Sequence, residues 1–258
     1  MIPVETPHLI IAAATHPGLR GKPNEDRYSI LPFRLSSDDP TPCVLALLAD
    51  GIGGHHAGEV AAELAVKTIN EYIAQNSPLL PAQTLKAALT HANQVILNQS
   101  RSNPALSGMG TTCVCTWVIG DRLYATSVGD SRLYLLRAAL LKRLTTDHTW
   151  VEEALAQGIL TPAQVKDQPN SHVIRRFLGS TNTINPDLRL RLSPAEDDTQ
   201  AEANQGLLLL PGDRLVMCTD GLTDLVEDAE ILEVLRTKPL ESSLVDLINL
   251  ANQRGGHD

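Results

Sequence analysis

Residues 43–59 read CVLALLADGIGGHHAGE. The unbroken apolar run 43–49 has the length and character of a strand buried on both faces. It ends in a carboxylate, Asp50, followed by a glycine turn, two histidines and the start of a helical pattern. That order pushes Asp50 out of a hydrophobic core at a strand terminus. Gly51 and the paired Gly53-Gly54 let the backbone turn tightly and approach a ligand closely. A carboxylate beside an exposed carbonyl suits a hard divalent cation such as Mg²⁺ or Mn²⁺. Asp-Gly also opens ordinary turns, so this stretch by itself leaves both readings open.

Acidic strand ends recur along the chain. Asn24-Glu25-Asp26 precedes the apolar run at 28–33, Gly129-Asp130-Ser131 separates two alternating runs, and Leu215–Thr219 ends in Asp220-Gly221. Gly255-Gly256-His257-Asp258 comes last. One such site is usually a turn. Five suggest convergence on a shared cation cluster, because like carboxylates tolerate proximity when cations compensate them.

Composition narrows the class. The 258 residues fit one large domain or two small ones, and no Pro/Gly/Ser-rich linker divides them, which favours one. Hydrophobic residues make up 43% but aromatics only 3%, so aliphatic side chains must fill the core and a base-stacking surface is not expected. A net charge of −9 argues against nucleic-acid binding, including a divalent-metal nuclease. The N-terminal apolar stretch 9–14 is too short for a signal peptide or membrane span. With four cysteines and no disulfide framework, the expectation is a cytoplasmic protein without membrane association. Cys113 and Cys115 share one face of a strand, as small buried hydrophobes.

Strands are expected at 9–15, 28–33, 43–49, 111–119, 122–128, 132–137, 207–210 and 214–219. Gly120-Asp121 and Gly129-Asp130 both read as hairpin turns. Helical periodicity covers about 58–75, with Val60, Leu64, Ala65, Ile69 and Ile73 on one stripe. A second helix begins at Pro81 and buries Leu85, Leu89, Ala92 and Ile96. A third covers 150–157, Thr161 and Gln164 form a capping-box-like start, and the last amphipathic helix ends at Gly255. Residues 188–192 alternate leucine with arginine, and the acidic stretch 195–205 reads as a loop. Runs of strands with helices in separate pairs imply an α+β layer structure.

PNED, DGIGGHHAGE, GMGTT, VGDSR, LTTDHT, LPGDRLVMCTDGL and GGHD stand in an order and spacing that resemble the metal-dependent serine/threonine protein phosphatases of the type 2C class, in their bacterial form. The resemblance runs from about residue 9 to the last residue. It implies two packed antiparallel β-sheets flanked by pairs of helices, a four-layer α/β/β/α sandwich. It also implies two core Mg²⁺ or Mn²⁺ ions and a weaker third. By resemblance Asp50 bridges the pair, the Gly51 carbonyl binds one ion, Asp220 and Asp258 complete the first, and Asp26 supports the pair. Asp130 then holds the third, with Asp220 shared. A two-metal cluster lowers the pKa of a water for in-line attack on phosphorus, and His55 matches the position proposed as general acid. His56 has no assigned role, and His148 reads as a structural residue tying down the following segment.

The sequence departs from the family pattern twice. The usual phosphate-binding arginine is replaced by Gly21, between Arg20 and Lys22. Arg20 is preferred as the anchor because its fork engages two oxygens. The family pattern also continues after GGHD with an asparagine and a final strand, whereas this sequence ends at Asp258. The expectation is one phosphatase domain over 1–258, either clipped or without this strand, with residues 149–178 as a flap-like insertion. There Arg175 and Arg176 are candidate contacts to a phosphopeptide, or merely solvated arginines. The implied partners are phosphorylated protein substrates of serine/threonine kinases, acted on by a monomer. A catalytically silent scaffold or antagonist is the alternative, although such members lose ligand aspartates that are all retained here.

Overall fold

The structure is a computed structural model that describes residues 1–53, 57–76, 78–165, 168 and 173–256. Among these, the strands are β1 (Ile2–Pro3), β2 (Arg27–Arg34), β3 (Pro42–Ala49), β4 (Gly51–Ile52), β5 (Gly110–Thr111), β6 (Cys113–Ile119), β7 (Arg122–Val128), β8 (Arg132–Arg137), β9 (Leu140–Arg143), β10 (Leu207–Leu208) and β11 (Arg214–Cys218). The α-helices are α1 (Ala57–Gln75), α2 (Pro81–Ser102), α3 (Trp150–Ala156), α4 (Pro162–Val165), α5 (Asp198–Ala203), α6 (Asp220–Thr223), α7 (Asp228–Thr237) and α8 (Leu240–Gln253).

Side-chain alternation sorts these elements into layers. On β6, Cys113, Cys115 and Trp117 point to one face and Val114 and Val118 to the other, as the two-residue period of a strand requires. The first set joins Leu45 and Leu47 of β3 and the buried stripes of α1 and α2 in one core. The second set meets Leu133 and Leu135 of β8, with Leu215 and Met217 of β11 packed alongside, in a core between two sheets. The outward residues Leu136 of β8 and Val216 of β11 then pack with Ile231, Leu235 and Leu247 from α7 and α8. Three cores therefore separate four layers: α1/α2, a sheet ordered β1-β2-β3-β6-β7-β10, a sheet ordered β11-β8-β9, and α7/α8. Both sheets are antiparallel, as expected for the four-layer sandwich.

Several local expectations are corrected. Residues 9–15 form no strand. Leu9 packs against the inter-sheet core and Ile10 is 89% exposed, so the alternation is present without a backbone ladder. Gly120-Asp121 does close the β6–β7 hairpin, but Gly129-Asp130 carries the chain from one sheet to the other. Likewise, β10 pairs with β7 and β11 with β8, so the Pro211-Gly212-Asp213 turn also crosses between sheets. The acidic stretch 195–205 contains α5, because Asp197 accepts from the Gln200 amide and the Gln200 side chain accepts from the Asp197 amide. The sequence reading passed over α7, at whose start the Glu230 carboxylate accepts from the Glu227 amide (3.2 Å), and β9. The hairpin from β8 to β9 turns through Ala138 and Ala139, both at positive φ (48° and 65°).

Candidate active site

Strand register, not sequence proximity, gathers the acidic residues. Arg27 pairs with Ala49, so Asp26 just before β2 and Asp50 just after β3 lie at one end of the same ladder. Leu48 pairs with Val114 and Cys113 with Val128, which brings Thr112 and Gly129 to that end. In the second sheet Cys218 pairs with Arg132, placing Asp220 after β11 beside Asp130 before β8. Thr219 donates to Asp26 across the two sheets (3.3 Å). Asp26, Asp50, Asp130 and Asp220 thus share one end of the sandwich. His55, His56 and Asp258 lie outside the described residues.

Each acidic strand end is tied down locally. The Asp50 carbonyl accepts from the Thr111 hydroxyl (2.7 Å) and the Thr112 amide (2.8 Å), and the Asp50 amide donates to the Thr112 hydroxyl (3.2 Å). The Asn24 side chain accepts from the Asp26 amide (2.9 Å), and Arg27 pairs with Glu59 in the first turn of α1. Gly51 and Gly58 meet backbone to backbone. A Cβ on Gly51 would lie 2.4 Å from the carbonyl carbon and oxygen of Gly58.

The loop carrying Asp130 is the most restrained part of the site. Gly129, at φ +108°, donates its amide to His148 Nδ1 (3.0 Å) and accepts from the His148 amide (2.9 Å). The Ser131 hydroxyl meets that of Thr112 (2.7 Å). Arg132 forks onto Asp147 with bonds of 2.7–3.2 Å, and Arg143 adds a second cation to the same carboxylate (3.1 Å). His148 Nε2 faces Asp187 Oδ2 at 3.3 Å. Burial alone would raise the Asp187 carboxyl, but bonds from His148 and Arg189 hold it well below the usual carboxylate range. His148 is therefore structural, as expected. Its backbone carbonyl accepts from Arg175, while its ring secures the loop before Asp130 rather than the segment after it.

Electrostatics at the site favour a cation. Asp130 is buried, and among the described residues its Oδ1 has no hydrogen-bond partner. Burial, then Asp220, Asp147 and Asp224, push its carboxyl up to about 7. A cleft of about 250 Å³ opens here, bordered by Asp130, Asp220 and Asp224 on one side and by Val151, Leu155 and Val165 of α3 and α4 on the other. Hard oxygen donors crowded in this way fit Mg²⁺ or Mn²⁺. Among the described residues, no three His, Cys, Asp or Glu side chains are already closed around one metal position.

Arg20 and Lys22 are both exposed on a turn whose Leu19 amide donates to the Gly256 carbonyl (2.8 Å). That bond brings the arginine turn against the segment leading to Asp258. Arg175 is exposed and paired with Glu153 (3.5 Å), in an extended stretch rather than on a helix. Sequence reasoning missed Thr112, Asp147 and Asp187 as supports of the site. Thr112 and Asp147 sat inside quoted motifs, whereas nothing in the sequence pointed to Asp187.

The sequence matches the family described as protein phosphatase 2C over residues 18–257. The chain belongs to the protein phosphatase 2C family. It is 33% identical over 240 residues to the serine/threonine phosphatase Stp of Listeria monocytogenes, covering 91% of this chain and 86% of the relative. Among solved structures, the Mycobacterium tuberculosis serine/threonine phosphatase PstP/Ppp superposes with a TM-score of 0.79 at 33% identity, covering 96% of this phosphatase and 93% of that chain. The catalytic domain of PstP in complex with two manganese ions matches with a TM-score of 0.75, 33% identity and the same coverage.

Proposed function

We propose that this protein-serine/threonine phosphatase of the 2C class hydrolyses phosphoserine and phosphothreonine on proteins at the sheet ends that carry Asp26, Asp50, Gly51, Asp130 and Asp220. Asp258 serves as a further ligand and His55 as general acid. The observation that carries the reading is the register, which brings four carboxylates from two sheets to one end, with an Asp130 oxygen buried there and, among the described residues, without a hydrogen-bond partner. Mg²⁺ or Mn²⁺ would be held by Asp50, Gly51, Asp220 and Asp258 with Asp26 in support, and a weaker third ion by Asp130 and Asp220. When bound, the ions supply a water of lowered pKa and neutralise charge on the phosphoryl group.

The chain's own residues do the rest. The Thr111-Thr112 pair fixes the backbone of Asp50. Arg20, on its exposed turn, anchors the phosphate through a charged fork. Residues 1–258 act as one domain with 149–178 as a flap-like insertion, of which 166–167 and 169–172 lie outside the described residues. The base of this flap is clasped by the Thr149–Ile174 bridge. Substrates are phosphoproteins made by serine/threonine kinases, and the enzyme works as a monomer in the cytoplasm. No described helix is long and apolar enough to cross a membrane, and all four cysteines are free and buried.

Asp50→Asn and Asp220→Asn test the assignment. Each should cut hydrolysis of a phosphopeptide in Mn²⁺ by more than ~100-fold while circular dichroism stays that of the parent. Near-parental turnover of either variant at saturating Mn²⁺ would overturn it.

A further inference from the structure

The loop around Asp130 is held from three sides, and the three tethers are not equivalent. The Thr112–Ser131 and Asp147–Arg132 contacts secure the residues after Asp130. Among the described residues, the ring of His148 is the side chain that secures the residue before it. Gly129 sits where the chain leaves the first sheet for the second, at a φ that side chains rarely adopt. Its buried amide needs an acceptor, and His148 Nδ1 supplies one at 3.0 Å. Nδ1 must then carry a lone pair, so the ring hydrogen is on Nε2, where Asp187 Oδ2 accepts it at 3.3 Å. Asp187 is itself oriented by the Arg189 amide (2.9 Å) and guanidinium, and its backbone bridges Ser127 on β7.

We propose that His148 is a positioning residue for Asp130: by accepting the Gly129 N–H through Nδ1 it fixes the Val128–Gly129 peptide, one residue before the plane from which Asp130 projects, and Asp187 fixes the tautomer that allows this. The proposal rests on the reading of Asp130 as a ligand of the weaker third cation. His148 touches neither the cation nor the substrate. Its effect reaches the chemistry only through the direction of the Asp130 carboxylate.

Two near-isosteric substitutions separate the two ring nitrogens. In His148→Asn the amide oxygen takes roughly the place of Nδ1 and preserves an acceptor for Gly129. In His148→Gln the longer amide reaches Asp187 and leaves Gly129 without one. The full chain would be studied by amide hydrogen exchange at Gly129, by calorimetry with Mn²⁺ alone, and by phosphopeptide kinetics. His148→Gln should lose protection at Gly129, bind Mn²⁺ at the weak site roughly tenfold less tightly, and lower kcat more than it changes KM. His148→Asn should keep the protection and recover most of both losses. Parental weak-site affinity in His148→Gln, or equal damage in both variants with Gly129 still protected, would overturn the proposal.

Asp130→Ala separates this outcome from failure of the underlying reading. A weak site that survives in Asp130→Ala overturns the ligand assignment. A weak site lost in Asp130→Ala but intact in both His148 variants overturns the positioning role alone. Should either His148 variant fail to fold, imidazole nitrogen NMR of the parent protein decides. An unprotonated Nδ1 with a protected Gly129 amide supports the proposal, and a protonated Nδ1 overturns it.

Discussion

Replacing Gly51 with alanine tests whether the acidic loop depends on backbone contact. The added Cβ would sit 2.4 Å from the carbonyl carbon and oxygen of Gly58 and 2.9 Å from the Glu25 carbonyl oxygen. Ordinary contact begins near 3.4 Å, so relief requires the loop after β3 or the start of α1 to retreat by about 1 Å. All three obstacles are backbone atoms, and none can swing away. A displacement of that size at a reacting centre typically costs on the order of 100-fold in rate. Overpacking of this kind costs roughly 1–3 kcal/mol of stability, a fall in Tm of about 2–4 °C per kcal/mol at this chain length. Gly58→Ala is the internal control. Its Cβ would meet Gly51 backbone at 2.8–2.9 Å and the end of the Glu25 side chain at 2.9 Å. That overlap is smaller and partly yielding, and alanine gains up to about 1 kcal/mol of helix propensity. Phosphopeptide hydrolysis at saturating Mn²⁺ and scanning calorimetry should therefore rank Gly51→Ala as clearly the more damaging. Parental kcat/KM and Tm in Gly51→Ala, or the reverse order, would refute the reasoning.

Arg20→Ala should raise KM for a fully ionised phosphopeptide by the equivalent of about 1.5–3 kcal/mol and Lys22→Ala should matter less; unchanged kcat/KM in both would show that neither anchors phosphate. The β8–β9 turn places two alanines in a left-handed conformation that costs L-residues about 1–2 kcal/mol each. Replacing Ala138-Ala139 with Asn-Gly should therefore raise Tm by several degrees, and an unchanged or lower Tm would count against that turn. Asp187 has a depressed pKa in the folded state, so its contribution is present above the unfolded value of about 3.8 and lost as pH falls through the lower folded value. Urea unfolding should accordingly show Asp187→Asn weaker than the parent by about 1.5–3 kcal/mol at pH 7, with the gap closing below about pH 4; a gap independent of pH would contradict the ion pairing.

The parts of the fold that were legible in the sequence were those whose periodicity is set by burial. The run 43–49, the stripe Leu85-Leu89-Ala92-Ile96 and the alternation through 113–119 each announce which faces are covered; the stripe is fully buried, and in the two strands all but Ala46, Leu48 and Ile119 are buried. Partners were less legible than faces. Nothing in Val128-Gly129-Asp130 tells a hairpin from a crossing between sheets, because both need a glycine turn between apolar strands. The choice is made by which core accepts Leu133 and Leu135. The segment 9–15 failed for a related reason, since alternation fixes side-chain direction but not a hydrogen-bonded neighbour. At the site, the acids themselves were visible as strand ends. Their supports were not, because Asp187 lies 57 residues after Asp130 in sequence and its side chain meets that loop through His148.

The architecture explains why the acidic motifs are so widely spaced. An antiparallel sandwich returns to the same end only once per pair of strands, so each carboxylate must come from a different hairpin or crossing. Asp26 and Asp50 come from the β2–β3 ladder, and Asp130 and Asp220 from the β8–β11 ladder. The inter-sheet core built on Val114, Val118, Leu133 and Leu135 holds the two ladders together. Mutual repulsion would drive such acids apart, and burial first, then Asp220 and Asp147, push the Asp130 carboxyl up. The opposing force is supplied a few residues away, by Thr111, Thr112, Asp147 and His148, which bond to backbone or to Arg132 and Ser131 instead of to the acids. The fold thereby holds the acidic strand ends in place, with Asp130 Oδ1 buried and, among the described residues, without a hydrogen-bond partner.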